Sequence, residues 1–219
     1  MRERKIFVAG STGKVGRTVM RLAGPDDPSW VPHRRPRTAH PAEADSRAKV
    51  LELEDASALD TALQGVTTVL QLIGTVRKRF SAGDTYETSD VGTTRALVEA
   101  AKRAGVDHFV HLSSVGAGRP VGAYLKAKAR AEALVTESQL PFTIFRPSVF
   151  VGEGQQAPPG MELLTSLFGL ARYRPIRIEE LARAILFVAR TRAALGEVLE
   201  GTALWDYVEG ALRESLTIR

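Results

Sequence analysis

The 219-residue chain has no cysteine. Disulfides, thiolate-ligated zinc, iron–sulfur clusters and thiol nucleophiles are excluded together. No apolar run reaches the length of a membrane span, and Met1 leads into Arg2, Glu3, Arg4 and Lys5 rather than an apolar leader. A cytoplasmic protein with no membrane partner is therefore expected. Aromatic residues make up only 6% of the chain, too few for a base-stacking platform, and no nucleic-acid-binding module is recognisable, so no nucleic-acid partner is expected. The four histidines, His33, His40, His108 and His111, form no ligand set. His108 and His111 stand three apart on a predicted strand and face opposite sides of it, so no metal is expected and His111 reads as a packed strand residue.

What is present suits one globular core. At 44% hydrophobic and 25% charged, the chain has enough apolar material to fold and too few residues for two full domains. A net charge of +5 points to anionic partners in general, not to a fold. The basic residues are dispersed except in two clusters, His33-Arg34-Arg35-Pro36-Arg37 and Arg77-Lys78-Arg79. The second reads equally as a solvated face or an anion contact.

Strand and helix signals alternate from the start, as in βαβ units feeding a parallel sheet. Strands are predicted at Lys5–Ala9, Trp30–Arg34, Lys49–Leu53, Thr68–Ile73, His108–Leu112 and Phe142–Phe145. Pro32 removes one ladder donor, so the second strand is expected to be short or irregular. Helices are predicted at Lys14–Leu22, Ser57–Gln64, Asp84–Ala104 and Gly122–Ser138, the third ended by Gly105. Beyond Pro147 a short helix at Met161–Ala171, a strong one at Glu179–Arg190 and a final strand and helix after Gly196 are expected. The fold class is α/β: a Rossmann-type doubly wound parallel sheet with a small C-terminal appendage. One domain spans 1–219, with a cofactor-binding core to residue 150 and a small substrate-side region over 151–219.

Three features carry chemistry. The first is Gly10-Ser11-Thr12-Gly13-Lys14-Val15-Gly16, which leaves a strand and opens a helix. Glycines at three-residue spacing let the backbone turn tightly and approach a pyrophosphate, which the helix N-terminus then holds. The Gly-Lys-Ser/Thr ending of a Walker loop is missing. The second lies about twenty residues on, where an NAD site offers a carboxylate to the ribose 2′-hydroxyl. Here stand Arg34 and Arg35 and no acid, an arrangement suited to a 2′-phosphate. NADP(H) is therefore expected in preference to NAD(H). The third is Tyr124-Leu125-Lys126-Ala127-Lys128, whose Tyr124 and Lys128 share one helix face. An ammonium beside a phenol tunes it for acid–base work. Ser113 and Ser114, ending the fifth strand, lie where their hydroxyls could polarise a substrate carbonyl.

With these residues the chain resembles the atypical, NmrA-like branch of the short-chain dehydrogenase/reductase superfamily, which includes the Tat-interacting-protein oxidoreductases. The resemblance covers Lys5 to Gly152 and resumes over Arg177–Gly201. It rests on the Gly10–Gly16 turn, on Arg34-Arg35-Pro36, and on Leu72-Ile73-Gly74-Thr75-Val76-Arg77 at the end of strand four. Asp90-Val91-Gly92-Thr93, Leu112-Ser113-Ser114-Val115-Gly116-Ala117 and Phe145-Arg146-Pro147-Ser148 complete it.

The resemblance implies that Tyr124 exchanges the proton, that Lys128 grips the nicotinamide ribose and tunes Tyr124, and that Ser114 or Ser113 orients the substrate. It places Glu52 and Leu53 near the adenine, with Glu52 where many relatives have Asp. Leu72, Ile73 and Gly74 fall beside the nicotinamide ribose, and Pro147 and Val149 near the nicotinamide amide. The implied activity is hydride transfer between the nicotinamide and a small carbonyl or alcohol substrate. The stretch after Pro147 is short, which argues against a bulky nucleotide-sugar substrate. A non-catalytic NADP(H)-binding regulator or interaction protein is the alternative, and a homodimer through the long helices stays open.

Overall fold

The apolar runs pair side by side in a single parallel sheet. In a computed structural model describing residues 3–36, 45–74, 85–151 and 171–217, β1 (Ile6–Ala9), β2 (Trp30–Arg34), β3 (Lys49–Val50), β4 (Thr68–Gln71), β5 (His108–Leu112), β6 (Phe142–Phe145) and β9 (Glu197–Leu199) line up in the order β3-β2-β1-β4-β5-β6-β9. Every neighbouring pair is parallel. The chain builds outward from β1 in one direction, then crosses to β4 and builds in the other. That reversal opens a crevice beyond the carboxyl ends of β1 and β4.

Helices cover both faces, and the alternation of side chains along each strand decides which core a residue joins. Ile6, Val8, Leu70, Leu72, Val110 and Phe145 pack under α1 (Lys14–Ala23), α5 (Ile178–Thr191) and α6 (Thr202–Thr217). Their neighbours Phe7, Ala9, Val31, Val69, Phe109 and Ile144 face the other way, under α2 (Ala56–Ala62), α3 (Thr93–Ala104) and α4 (Gly122–Thr136). The doubly wound fold expected from the sequence is the one observed. The last strand and helix also form where expected: β9 extends the sheet beside β6, and α6 packs on α5.

The differences are local and have physical causes. Pro32 does not disrupt β2, which pairs with β1 through Val8↔Pro32. Arg34 uses its carbonyl toward β3, accepting from Leu51 N–H at 3.1 Å. By the two-residue period Pro32 turns its donorless nitrogen to that same side, and β3 begins only opposite His33. Strand β4 stops at Gln71 rather than Ile73, because Ile73 N–H donates to the side-chain Oε1 of Gln71 at 3.0 Å instead of continuing a ladder. Strand β3 is two residues long, and Leu51 and Leu53 turn into the core.

The long helix predicted up to Ala104 starts with a π-helical turn at Glu87–Gly92, and only Thr93–Ala104 is α-helical. A small second sheet, β7 (Phe150–Val151) with β8 (Ile176–Arg177), was not foreseen. The predicted helix at Met161–Ala171 lies outside the described residues but for its last position, which opens a 3₁₀ turn at Ala171–Tyr173. Arg47 ties back the proline-rich return from α1 through Gly24 O at 3.0 Å and Asp27 O at 2.9 Å. No helix among the described residues is long and apolar enough to cross a membrane.

Among the described glycines the tightest approach is between α1 and the end of β1: a Cβ added at Gly16 would lie 2.0 Å from the carbonyl oxygen of Gly10. Backbone cannot yield by that amount. Gly16→Ala is expected to destabilise the protein by about 3 kcal/mol, the upper end for overpacking, read as a lower urea midpoint at unchanged slope.

Candidate functional site

The Gly10–Gly16 turn sits at the mouth of the crevice. Gly10 has φ of 88°, and a Cβ there would lie 2.8 Å from the carbonyl carbon of Leu72, so this turn brushes the end of β4. Helix α1 starts after Gly13 with no side-chain cap and no acidic residue in its first turn. Its N-terminus thus keeps the leftover donors and positive dipole end that suit a phosphate. Ser11 is a fastener: its buried hydroxyl donates to His33 O at 2.6 Å, clamping the ends of β1 and β2. Val15 and Gly16 are buried beneath the turn, and Thr12 and Lys14 are exposed on it.

Arg34 and Arg35, both half-buried, leave β2 directly beside that clamp. The neighbouring His33 is not part of a basic surface. It is buried, its Nε2 lies 3.0 Å from Leu51 O, and burial holds its pKa below the ordinary value, with the Arg35 charge adding in the same direction. Glu52 is exposed, whereas the Leu53 side chain is committed to the core under α2. At the end of β4, Leu72 is buried, Ile73 half-buried and Gly74 exposed. Arg37, His40, Thr75, Val76 and the Arg77-Lys78-Arg79 cluster lie outside the described residues.

Lys128 is the best-fixed side chain of the site. Its Nζ stands 2.9 Å from Asp90 Oδ1 and donates to Leu112 O at 3.1 Å. A Cβ at Gly74 would come within 3.3 Å of that nitrogen and 3.7 Å of the Asp90 oxygen, so glycine leaves the ammonium room at the end of β4. Asp90 had been singled out only as part of a motif; its contact with Lys128 was not foreseen.

A buried polar chain holds Asp90 in place. Gln71 Nε2 donates to Thr93 Oγ1 and to Thr94 Oγ1, each at 3.1 Å. Thr94 Oγ1 in turn donates to Asp90 O at 2.6 Å, and Thr93 Oγ1 to Ser89 O. A glutamine inside the apolar run Thr68–Ile73 was the one sequence signal for this network.

Tyr124, one turn before Lys128 on α4, is 36% exposed and packs edge-on against Tyr86 at 5.4 Å between ring centres. Ser113 is anchored through its N–H to Phe145 O at 2.8 Å, and its buried Oγ has no hydrogen-bond partner among the described residues. Ser114 Oγ makes only a long 3.4 Å contact with Val115 O. Pro147 is buried and accepts from Val115 N–H at 2.9 Å, while Val149 is exposed. Lys128, Leu112, Gly74 and Ser113 are thus gathered at the carboxyl ends of β4 and β5, with Tyr124 at their solvent side. Arg34, Arg35 and Glu52 lie toward the β2–β3 side of the sheet.

Arg146, just after β6, braces this edge, bound by Glu132 of α4 at 2.9 and 2.5 Å and by Glu200 beyond β9 at 3.0 Å. His108 and His111 occupy opposite faces of β5, as their spacing implied. His108 Nε2 meets Thr143 Oγ1 at 2.9 Å, whereas His111 lies on the α4 side, its ring buried and shifted well below its ordinary pKa by burial and then by the Lys128 charge. Burial, and secondarily Arg192, bring His108 down to about 4 from 6.5.

A ring kept neutral in the fold but free to protonate when unfolded favours unfolding as pH falls. The stabilisation is complete above pH 6.5 and lost on the way down to about 4. By linkage His108 alone accounts for about 3 kcal/mol of it, and His111 acts in the same direction. Urea midpoints across that range are expected to fall with pH, less steeply in His108→Gln.

Residues 10–186 match the family model described as NAD(P)H-binding. Protein FMP52, mitochondrial, of Debaryomyces hansenii is 30% identical over 162 residues, which cover 69% of this chain and 69% of that protein. Protein HTATIP2 of Rattus norvegicus is 27% identical over 175 residues, 77% of this chain and 72% of its own. Among solved structures, the oxidoreductase ylbE from Lactococcus lactis shares the fold, with a TM-score of 0.66 at 21% identity over 95% of this chain and 97% of its own.

Proposed function

Because the chain belongs to the NAD(P)H-binding family, among the atypical NmrA-like short-chain dehydrogenases/reductases, we propose that it is an NADP(H)-dependent oxidoreductase acting on a small carbonyl compound or alcohol. The observation that carries this reading is the seat of Lys128 Nζ between Leu112 O on β5 and Gly74 after β4, at the crevice that the Gly10 turn also lines.

The residues fit a dinucleotide. A Cβ at Gly10 or Gly16 would strike backbone, and the uncapped α1 N-terminus beside them suits the pyrophosphate. Arg34 and Arg35 supply guanidinium groups for a 2′-phosphate. Glu52 and the Leu53 backbone border the adenine side, and Leu72, Ile73, Gly74, Pro147 and Val149 the nicotinamide side. When bound, the nicotinamide supplies or accepts the hydride.

The rest falls to the protein. Lys128 holds the nicotinamide ribose by hydrogen bonding, and Tyr124 stands one turn before it on α4. Tyr124 gives a proton to the substrate oxygen during reduction and takes it back during oxidation. Ser113 or Ser114 donates a hydrogen bond to that same oxygen, and the unsatisfied, buried Oγ of Ser113 favours Ser113.

Calorimetric titration is expected to give tighter binding of NADPH than of NADH. Arg34→Ala/Arg35→Ala should weaken NADPH by about tenfold or more, from lost charge-assisted hydrogen bonds, and leave NADH nearly unchanged. Across a panel of small aldehydes and ketones, Tyr124→Phe is expected to lower kcat by about 10²–10⁴. Tight nucleotide binding without turnover in the wild-type protein would instead support the regulator reading.

A further inference from the structure

The buried pair formed by Asp90 and Lys128 has an electrostatic consequence beyond seating the lysine. The two side chains are 1% and 4% exposed, so water screens neither, and a net charge here acts on whatever occupies the crevice above. Two neighbouring ionisable groups are engaged elsewhere or neutral. Glu132, one turn on from Lys128, is taken by Arg146, which also holds Glu200. His111, on the strand beneath, is buried and held in its neutral form. The π-turn is fixed by the hydrogen bonds from Gln71 through Thr94 to the Asp90 backbone, so the carboxylate is a permanent part of the floor.

A nicotinamide ring is uncharged when reduced and carries one positive charge when oxidised. A lone ammonium beneath it would select against the oxidised form, and a lone carboxylate would select for it. We propose that Asp90 sets the redox-state selectivity of the nucleotide site, cancelling the Lys128 charge so that NADP⁺ and NADPH bind with similar affinity. In this role Asp90 is a specificity-determining residue that need not touch the cofactor. The inference rests on the reading above that Lys128 lies at the nicotinamide end of a nucleotide site.

The test is the ratio of Kd for NADP⁺ to Kd for NADPH, measured by calorimetry on the full chain. In the wild-type protein the two constants are expected to lie within about tenfold of each other. Asp90→Asn leaves the floor with one positive charge and is expected to raise the ratio by about tenfold, and Lys128→Met leaves one negative charge and should lower it by about as much. The double variant is neutral again and should return toward the wild-type ratio.

Absolute affinities fall wherever Lys128 is lost, but a purely structural role would weaken both nucleotides alike and leave the ratio fixed. A ratio that stays constant, or that moves the same way in both single variants, overturns the proposal. So does a wild-type gap larger than tenfold, which decides the matter even if a variant fails to fold. Failure of the wild-type protein to bind either nucleotide overturns the oxidoreductase reading itself and this inference with it, whereas binding with a charge-independent ratio overturns this inference alone.

Discussion

Burying the Lys128 ammonium is the constraint around which the carboxyl edge of the sheet is organised. An unpaired charge at that depth would cost several kcal/mol, and the chain meets the requirement with two acceptors from different elements. Asp90 comes from the π-turn before α3, and Leu112 O from the end of β5. Three elements are thereby drawn together at one nitrogen, and Gly74 is left without a side chain so that a fourth can close on it. Removing either partner would leave the other charge buried alone, which is costlier than never having built the pair.

The pair in turn depends on a part of the fold with no direct business at the site. Gln71 stands at the end of β4, fully buried, and commits its amide to Thr93, Thr94 and the Ile73 N–H. One side chain thus ends the strand, fixes the start of α3 and, through Thr94, holds the turn that presents Asp90. A π-turn is an uncommon way to begin a helix. Here its widened loop is held by polar bonds inside the protein, and rigid support of this kind is what a charge needs if it is to act as a fixed field rather than a swinging arm.

Much of this was legible in the sequence because it rests on local rules. The Gly10–Gly16 spacing, the strand–helix alternation and the i, i+4 placement of Tyr124 and Lys128 each follow from backbone geometry over a few residues, and the structure reproduces the fold they imply. The parts that were not legible depend on which side chains meet across the fold. Pro32 looked disruptive because its missing donor is visible in sequence, while the side it turns to is not. The helix signal over Asp84–Ala104 could not reveal the extra residue in its first turns. Asp90 and Lys128 are far apart in sequence, and no spacing rule links them. Gln71 was a polar letter in an apolar strand, a signal that something buried must satisfy it, without a hint of what.

Helix α4 shows how support and chemistry are divided along one element. Its buried face carries Lys128 and, a turn later, Glu132, whose carboxylate takes Arg146 in two hydrogen bonds while Arg146 reaches on to Glu200. The helix is thus tied at two points, Lys128 to Asp90 and to the end of β5, and Glu132 to Arg146 just after β6. Tyr124, one turn before Lys128, stands near the start of this anchored helix, yet it remains partly open to solvent. The proton exchange proposed for Tyr124 needs both properties: a fixed position relative to its partner, which the anchored helix provides, and a route for its proton to water. The buried layer below supplies the first, and the exposure of Tyr124 the second, so rigidity and access are kept on successive turns of the same helix rather than traded against each other at one residue.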